Sequence, residues 1–424
     1  MNKKFSFSYN SDKQTALLTL LGLKLRIRLN ISNKLIKKFG FIFKYFDLMI
    51  PKKNNRIVFF LFPKFENNIL SYYKYLKQNH NDEFEIFFIY SEKTKKYNLE
   101  NCTFIHNFIS LYRIYSAKYI VTTHAGYCLD FCKSKRHIYL NLWHGMPIKT
   151  LGYAEKELKN NLQDRYNFLA ENAHFFVTSD LFKLSMLSCF RGKYHNFYIT
   201  GQPRTDIMAD KRNREKIMSL FSMQNYKNIV LYLPTWKQKT FNRKQQVSVD
   251  FNNIFYMDDY NSPDFIKFLQ DNNILFIMKP HPVEENFYKD NPDIVPQSKN
   301  FRILFDEELS KQNIDLYEIF SQTDLLISDF SAVTVDWLIL NKPVLYLNNL
   351  SQEYGKGRGM VLEDNFELLM PGTKVITYDE LKKEMLNNLL NDSYKTEREK
   401  ALPLIHKYRD FNASERIYEI MKNL

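Results

Sequence analysis

From Pro51 onward, short apolar runs alternate with stretches of helical periodicity. Strands of a parallel sheet are covered on both faces, so continuous apolar runs between turn residues predict such strands. The first series predicts strands at 56–63, 85–90, 118–123, 137–142 and 175–178, with helices at 66–78, 108–116 and 155–172. The second series predicts strands at 228–233, 274–279, 301–305, 325–328 and 344–347, with helices at 262–272, 315–323, 332–340 and 379–391.

Two successive series of this kind predict an α/β protein with two doubly wound, Rossmann-like domains. The predicted boundaries are 51–208 for the first domain and 209–400 for the second. In such folds ligands bind beyond the carboxyl ends of the strands, so the cleft between the two sheets is the expected site of a two-substrate reaction.

The segment before the first domain, residues 1–50, has a different pattern. Between Thr15 and Ile50, leucine, isoleucine and phenylalanine are interspersed with lysine and arginine, and Asp47 is the only acid. This pattern predicts a basic amphipathic helical arm that lies on an anionic membrane surface. The alternative is a helix packed on the domain, with its basic face in solvent. No apolar run approaches the roughly 18 residues of a spanning helix, so we expect a peripheral protein on the cytoplasmic face of the membrane.

Composition narrows the class of partner. The 424 residues include 60 basic and 47 acidic side chains, a formal charge of +13, which suits a phosphate polymer, an anionic lipid or a nucleic acid. Outside the arm the basic residues are dispersed and form no stripe interleaved with aromatics, so nucleic acid is not expected. The chain has neither a GxGxxG nor a Walker A motif, and Cys128 and Cys132 lack a second pair of metal ligands.

The first candidate for chemistry follows the predicted strand 137–142, in the segment Trp143-His144-Gly145-Met-Pro-Ile-Lys149. A histidine at the carboxyl end of a strand, followed by glycine and proline, points into the cleft and is suited to act as a general base near neutral pH. Lys149 adds positive charge. Taken alone, a histidine at a strand end is more often structural.

The second candidate is Lys279-Pro280-His281-Pro, at a strand end of the other domain. Two prolines restrict the backbone around His281, so little entropy is lost when the ring binds a diphosphate oxygen. A rigid turn with an incidental histidine is the alternative.

The third candidate is the strand-to-helix passage that begins Ser328-Asp329-Phe-Ser331-Ala332. Ser331 is predicted as the N-cap of the following helix, whose first N–H groups suit a phosphate. A fourth segment, 354–359, is glycine-rich and includes Arg358; it either closes on an anionic ligand or is a solvated loop.

In this order, these segments resemble the CDP-glycerol glycerophosphotransferases, the TagB/TagF-like enzymes of teichoic acid and capsule synthesis, from about residue 56 to residue 424. Further motifs support the resemblance: Gly201-x-Pro-Arg204-x-Asp206, Tyr-x-Pro-Thr235-Trp236-Lys, Pro371-Gly372 and Ser414-x-Arg416. Two departures from the family pattern are Phe330-Ser331-Ala332, where Tyr-Ser-Ser is usual, and Phe411-Asn412, where Asp-Gly is usual.

The resemblance implies a GT-B architecture, with donor binding in the second domain, acceptor binding in the first, a terminal helix at 401–424 that returns to the first domain, and no cofactor or metal. It implies transfer of glycerol phosphate from CDP-glycerol to a lipid-linked or polymeric acceptor, with release of CMP. His144 and His281 are the implied catalytic pair. The implied donor-site residues are Thr235, Trp236, Lys279, Pro280, Ser328, Asp329, Ser331, Ala332 and Arg358. The implied acceptor-side residues are Trp143, Gly145, Lys149, Gly201, Arg204 and Asp206.

The departures leave CDP-ribitol open as the donor. A sugar-nucleotide glycosyltransferase on the same fold would release a nucleoside diphosphate instead of CMP, and a non-catalytic basic binding protein would release neither. Whether the enzyme adds one unit or many, and how many copies assemble, is not predicted.

Overall fold

A computed structural model describes residues 5–10, 15–20, 23–28, 40–61, 66–91, 100–105, 108–130, 132–155, 160–235, 253–329, 331–347 and 359–424. The first domain is built on a parallel sheet of seven strands in the order β10-β9-β8-β7-β4-β5-β6. These strands are β4 (Lys53–Phe60), β5 (Glu85–Tyr90), β6 (Cys102–Phe104), β7 (Ala117–Thr122), β8 (Ile138–Asn141), β9 (Ala173–Val177) and β10 (Phe197–Ile199).

The helices of this part of the chain are α1 (Gly40–Met49), α2 (Asn67–Asn79), α3 (Phe108–Tyr115), α4 (Asn160–Asn172), α5 (Asp180–Phe190) and α6 (Pro203–Asp206). In β4, Ile57, Val58, Phe59 and Phe60 are all buried, so neighbouring residues face apolar layers on both sides of the sheet. Because the chain moves outward from β4 to β6 and then returns to β7 on the other side of β4, the strand order reverses between β4 and β7. A ligand crevice is expected at the carboxyl ends of these two strands.

The second domain repeats this plan with a parallel sheet of six strands in the order β13-β12-β11-β14-β15-β16. Its strands are β11 (Asn228–Leu233), β12 (Ile274–Met278), β13 (Phe301–Ile303), β14 (Leu325–Ser328), β15 (Val344–Leu347) and β16 (Thr373–Val375). The helices from here to the end of the chain are α7 (Arg214–Leu220), α8 (Ser262–Asp271), α9 (Glu285–Asp290), α10 (Asp306–Gln312), α11 (Leu316–Phe320), α12 (Val333–Trp337), α13 (Tyr378–Asn391), α14 (Lys395–Ile405) and α15 (Ala413–Lys422). Here the order reverses between β11 and β14.

The last two helices link the domains. His406, after α14, bonds through Nε2 to the Val335 carbonyl oxygen at 2.6 Å, and the next residue, Lys407, donates its backbone N–H to the Thr178 carbonyl of the first domain. Ile417 and Met421 of α15 then pack in the same apolar cluster as β4. The helix α15 therefore packs on the core of the first domain.

The N-terminal arm differs from its prediction. Residues 15–20 and 23–28 are not helical: they form β2 (Thr15–Leu20) and β3 (Leu23–Arg28), and β2 pairs antiparallel with β3 on one side and with β1 (Phe5–Asn10) on the other. The sequence of β3, in which Leu23, Leu25 and Ile27 alternate with basic residues, has the period of two that favours a strand. Only α1 fits the helical prediction in this part of the described chain.

Candidate active site

His144 lies at the carboxyl edge of the first sheet, three residues after β8, as predicted. Its Nδ1 is 2.7 Å from the backbone carbonyl oxygen of Thr123, which follows β7. A carbonyl oxygen only accepts hydrogen bonds, so Nδ1 must donate, and the neutral ring carries its lone pair on Nε2. The backbone therefore fixes the tautomer in which Nε2 carries the lone pair, as a proton acceptor requires.

Trp143 is buried, and its backbone has a φ of +53°, a region that bulky residues rarely adopt. The backbone N–H of Trp143 donates to Oδ1 of Asn141 at 3.0 Å, and its backbone carbonyl accepts from Nδ2 of Asn68 at 3.0 Å. Its ring meets Phe190 edge-on, with centroids 5.2 Å apart. These contacts hold a strained turn that presents the next residue, His144, at the sheet edge.

A second imidazole stacks on His144. The rings of His124 and His144 have centroids 4.4 Å apart and an interplanar angle of 16°. His124 follows β7, and its Nε2 lies 3.6 Å from Oε1 of Glu66, which precedes α2. Glu66 and His124 therefore follow β4 and β7, the two strands between which the strand order reverses. His124 was not among the predicted site residues, although the sequence gives it the same signal as His144: it is a histidine just after a predicted strand.

In the second domain, His281 lies beyond the end of β12. Its Nδ1 accepts the backbone N–H of Val283 at 3.3 Å, so in the neutral ring the proton is on Nε2. His281 thus has the opposite tautomer to His144: Nε2 is a donor and suits a phosphate oxygen. Pro280 and Pro282 flank it, as the sequence indicated.

Three further residues assigned to the donor site, Thr235, Ser328 and Asp329, form hydrogen bonds at this edge of the second sheet. Asp329 accepts from the Thr235 hydroxyl at 2.6 Å and from its backbone N–H, and the Ser328 hydroxyl donates to the Leu233 carbonyl at 2.7 Å. These bonds join the ends of β11 and β14, between which the strand order reverses.

The predicted N-cap moves by one residue. The residue before α12 is Ala332, and Ser331 accepts from the Val333 N–H only at a long 3.4 Å. Ala332 already has helical dihedral angles, and the helix has five residues before it tightens into a 3-10 turn. Ser331 is partly exposed at the end of the sheet.

Lys279 is not an open cation. It is buried, and its Nζ contacts Asp306 at 2.7 Å and Glu285 at 3.3 Å. Two carboxylates therefore already compensate the charge that the sequence analysis offered to a diphosphate. Trp236 and Arg358 lie outside the described residues, so their predicted donor roles stay predictions.

The two domains meet at these motifs. The Thr150 N–H donates to the Gly359 carbonyl at 3.1 Å, the Val361 N–H donates to the Ile148 carbonyl at 2.8 Å, and Lys149 and Met360 form an antiparallel bridge. Gly145 faces the second domain: a Cβ built on it would lie 3.7 Å from Cβ of Ala332. The segment that follows His144 therefore lines the cleft opposite the start of α12.

Arg204 has a structural position in this interface. Its Nη2 pairs with Oδ2 of Asp336 at 2.5 Å across the domains, and its Nη1 donates to the backbone carbonyl of His144 at 3.0 Å. The Tyr317 hydroxyl donates to the same carboxylate at 2.7 Å. Burial of Arg204 opposes its charge, but Asp336 raises the pKa of Arg204 above its ordinary value. Arg204 therefore ties His144 to the second domain.

Gly201 and Asp206 hold the terminal helix. The carboxylate of Asp206 accepts the backbone N–H groups of Ala413 and Ser414 at 2.9 and 2.7 Å, and a Cβ on Gly201 would come within 3.1 Å of Ala413. Burial, partly offset by these bonds, raises the pKa of Asp206 to about 7. An additional contact of either residue with an acceptor stays a prediction.

The residues 42–423 match the family model described as CDP-glycerol:poly(glycerophosphate) glycerophosphotransferase. The chain is 24% identical over 413 residues to a teichoic acid poly(glycerol phosphate) polymerase of Bacillus spizizenii, covering 93% of this chain and 94% of that protein. It is equally, 24%, identical to a teichoic acid poly(ribitol-phosphate) polymerase of the same organism, over 92% of this chain and 60% of that protein.

A solved histidine-to-alanine variant of the wall teichoic acid polymerase TagF superposes with a TM-score of 0.71 at 19% identity, over 92% of this chain and 95% of that one. This likeness confirms the GT-B architecture. Because the family model covers nearly all of the chain, the protein belongs to the CDP-glycerol:poly(glycerophosphate) glycerophosphotransferase family.

Proposed function

We propose that this CDP-glycerol glycerophosphotransferase extends a teichoic-acid-like or capsular acceptor, with His144 as the general base and His281 as the hydrogen-bond donor to the diphosphate. The observation that carries this proposal is the pair of opposite tautomers. Nε2 of His144 has a lone pair because Nδ1 donates to Thr123, and Nε2 of His281 has a proton because Nδ1 accepts from Val283. One imidazole is set to take a proton and the other to donate a hydrogen bond.

In the proposed step, Nε2 of His144 takes the proton of an acceptor hydroxyl. The acceptor oxygen forms a bond to the phosphorus that bears glycerol, the bond from that phosphorus to the bridging oxygen breaks, and CMP leaves with the electron pair. Phosphoryl transfer depends mainly on alignment and on stabilising the oxygens that gain charge. His281 serves this purpose from the second domain, and the Ser331 hydroxyl, which follows β14, lies at the same edge of the sheet.

The identity of the nucleotide donor is tested by incubating the full chain with CDP-glycerol or CDP-ribitol and with lipid-linked or polymeric acceptors, while CMP and product length are measured. We expect CMP and acceptor extension with CDP-glycerol. Extension with CDP-ribitol alone would replace glycerol by ribitol in the proposal, and release of a nucleoside diphosphate from a sugar nucleotide would overturn it.

We further propose that an anionic bilayer on the cytoplasmic face of the membrane is the docking surface for α1. Tyr45 and Met49 are 64% and 75% exposed, whereas Asp47 is buried between them in sequence. Asp47 pairs with His137 and Lys52, each at 2.7 Å, so the end of the helix is fixed with Tyr45, Phe46 and Met49 outward. Among the described residues, none of the helices combines the length and apolar composition needed to cross a bilayer.

The register of the N-terminal sheet adds to this proposal. Phe7 lies opposite Leu18, and Leu18 lies opposite Leu25, while Ser8, Leu17 and Arg26 form the neighbouring row. In the sequence of β3, Leu23, Leu25 and Ile27 alternate with basic residues. This composition suits apolar contact together with attraction to anionic headgroups.

Co-sedimentation with phosphatidylglycerol vesicles tests this docking. Replacing Tyr45, Phe46 and Met49 together by serine should move the protein from the vesicle pellet to the supernatant, with turnover on short soluble acceptors retained. The matched control is Leu390→Ser, because Leu390 is 67% exposed on α13 of the other domain. Equal sedimentation of wild type, control and triple variant would contradict the proposal.

A further inference from the structure

A partly buried pair of a histidine and a glutamate stands behind His144 and has no role in the step proposed above. It consists of His124 and Glu66, which are 12% and 18% exposed, with Nε2 and Oε1 3.6 Å apart. Nδ1 of His124 is 3.0 Å from the Thr123 hydroxyl, and its backbone carbonyl accepts from Nδ2 of Asn141 at 3.2 Å. Two contacts therefore fix the ring of His124: the Glu66 carboxylate lies beside Nε2, and the ring of His144 stacks on it with the centroids 4.4 Å apart.

Two imidazoles at this separation titrate as a coupled pair. A positive charge on one ring disfavours a positive charge on the other, so the first proton to bind keeps the second away over a wide range of pH. The carboxylate of Glu66 favours protonation of its partner, His124. The proton of His144, in contrast, is already committed to the Thr123 carbonyl through Nδ1, and a second proton would have to bind Nε2, the atom that receives the acceptor's proton.

We propose that His124, paired with Glu66, is a positioning residue that carries the charge of the stacked pair and so keeps His144 in its neutral, proton-accepting form. This inference rests on the proposed role of His144 as the base. A general base is useful only in the fraction of molecules in which it is unprotonated. By holding the charge on the neighbouring ring, the enzyme extends the working range of His144 towards acidic pH, and the stack fixes the orientation of the base.

Two charged groups of the interface, Arg204 and Asp336, lie next to this pair. Arg204 bonds the His144 carbonyl and interacts electrostatically with Glu66, and Asp336 compensates its charge at 2.5 Å. This pair is itself neutral overall, so Glu66 remains the carboxylate that pairs with His124. Glu66, His124 and His144 follow β4, β7 and β8, respectively, and these three strands lie side by side in the sheet in the order β8-β7-β4.

The test is the pH dependence of kcat/KM for CMP release, measured from pH 5.5 to 9.5 on the full chain with CDP-glycerol and a polymeric acceptor. His124→Phe keeps an aromatic ring over His144 and removes the charge. The acidic limb should move about one pH unit towards alkaline pH, so that kcat/KM falls about tenfold at pH 6 and stays within about threefold of wild type at pH 9. A merely structural role would lower the profile equally at every pH.

The matched control is His80→Phe. His80 also stacks on an aromatic ring, Tyr418, at 3.6 Å and pairs with a glutamate, Glu83, at 2.7 Å, but it lies at the end of α2. Its profile should superpose on that of wild type. A second variant, His124→Gln, retains a polar side chain beside Thr123 and should show the same shift. Calorimetric binding of CDP-glycerol to each variant verifies that the donor site is intact.

An acidic limb that stays in place or moves to lower pH in both His124 variants would overturn this inference. His144→Ala separates this failure from that of the proposed function. If His144→Ala keeps its turnover, the base is wrongly assigned and the proposed mechanism fails. If His144→Ala is inactive while the limb does not move in the His124 variants, only the role of His124 and Glu66 is wrong.

Discussion

A buried ion pair, Arg204 with Asp336, crosses the interface between the domains, and Asp336→Asn is the substitution that tests it most cleanly. The variant keeps the shape of the side chain but leaves the guanidinium of Arg204 without a counter-charge. The side chain of Asp336 is 0% exposed and that of Arg204 8% exposed, so water cannot replace the lost partner. The bond from the Tyr317 hydroxyl to the same carboxylate is weakened as well.

Breaking a buried pair by removing one partner costs about 3–5 kcal/mol, because the remaining charge is uncompensated. We therefore expect the free energy of unfolding to fall by about this amount. A matched surface pair gives the comparison: Lys267 and Asp271 lie 2.6 Å apart, at 73% and 57% exposure, on one turn of α8. Asp271→Asn should cost less than about 1 kcal/mol, because solvent screens exposed charges.

The assay is urea denaturation followed by tryptophan fluorescence, with CMP release measured on the same samples in buffer. Turnover should also fall in Asp336→Asn, because Arg204 holds the His144 carbonyl at 3.0 Å. The double variant Arg204→Met with Asp336→Leu replaces the pair by apolar side chains and should recover most of the stability but not the turnover. If Asp336→Asn unfolds within 1 kcal/mol of wild type, the pair does not hold the domains together.

Three further predictions follow from single contacts. Gly145→Ala should lower turnover more than Gly359→Ala, since both glycines have positive φ but only a Cβ on Gly145 meets Arg204, at 2.7 Å from Nη2; equal losses would contradict this. Asp206 holds its proton in the folded state up to a pKa of about 7, so the free energy of unfolding should fall as pH rises from about 4 to 7. In Asp206→Asn that slope should be reduced, as denaturation at pH 5 and pH 8 will show. Burial opposes ionisation of Asp47, but His137 and Lys52 keep its pKa below the ordinary value, so Asp47→Asn should release α1 at neutral pH and speed tryptic cleavage after Lys52 or Lys53; unchanged cleavage would refute the clamp.

The central strands of both sheets are predictable from sequence for a physical reason. Strands such as Asn228–Leu233 and Leu325–Ser328 are covered on both faces and are therefore continuous apolar runs, and their predicted and observed bounds coincide. In the two parallel sheets, the strands that were not predicted have three residues each and lie at sheet edges: Cys102–Phe104, Phe197–Ile199 and Thr373–Val375. Three residues are too few to show a period.

Some residues of the candidate site were also predictable from sequence, and others were not. The positions of His144 and His281 at the sheet edges were predictable because each histidine comes three residues after a short apolar strand; their catalytic roles stay predictions. The roles of Arg204 and Asp336 were not predictable, because the two residues are 132 positions apart in sequence, and a carboxylate early in a helix has a sufficient local explanation in the helix dipole. The arm was predicted as helical because its apolar residues are dense enough to mask the alternation in Leu23–Arg28.

In the proposed mechanism, His144 takes the proton of the acceptor hydroxyl and His281 holds the diphosphate of CDP-glycerol. The most direct test of this mechanism is a paired measurement on His144→Ala and His281→Ala: calorimetric affinity for CDP-glycerol, and turnover with saturating acceptor. We predict that His144→Ala binds CDP-glycerol as wild type does while its turnover falls about 100- to 10,000-fold, and that His281→Ala loses donor affinity. Near wild-type turnover in His144→Ala, or unchanged donor affinity in His281→Ala, would contradict the account.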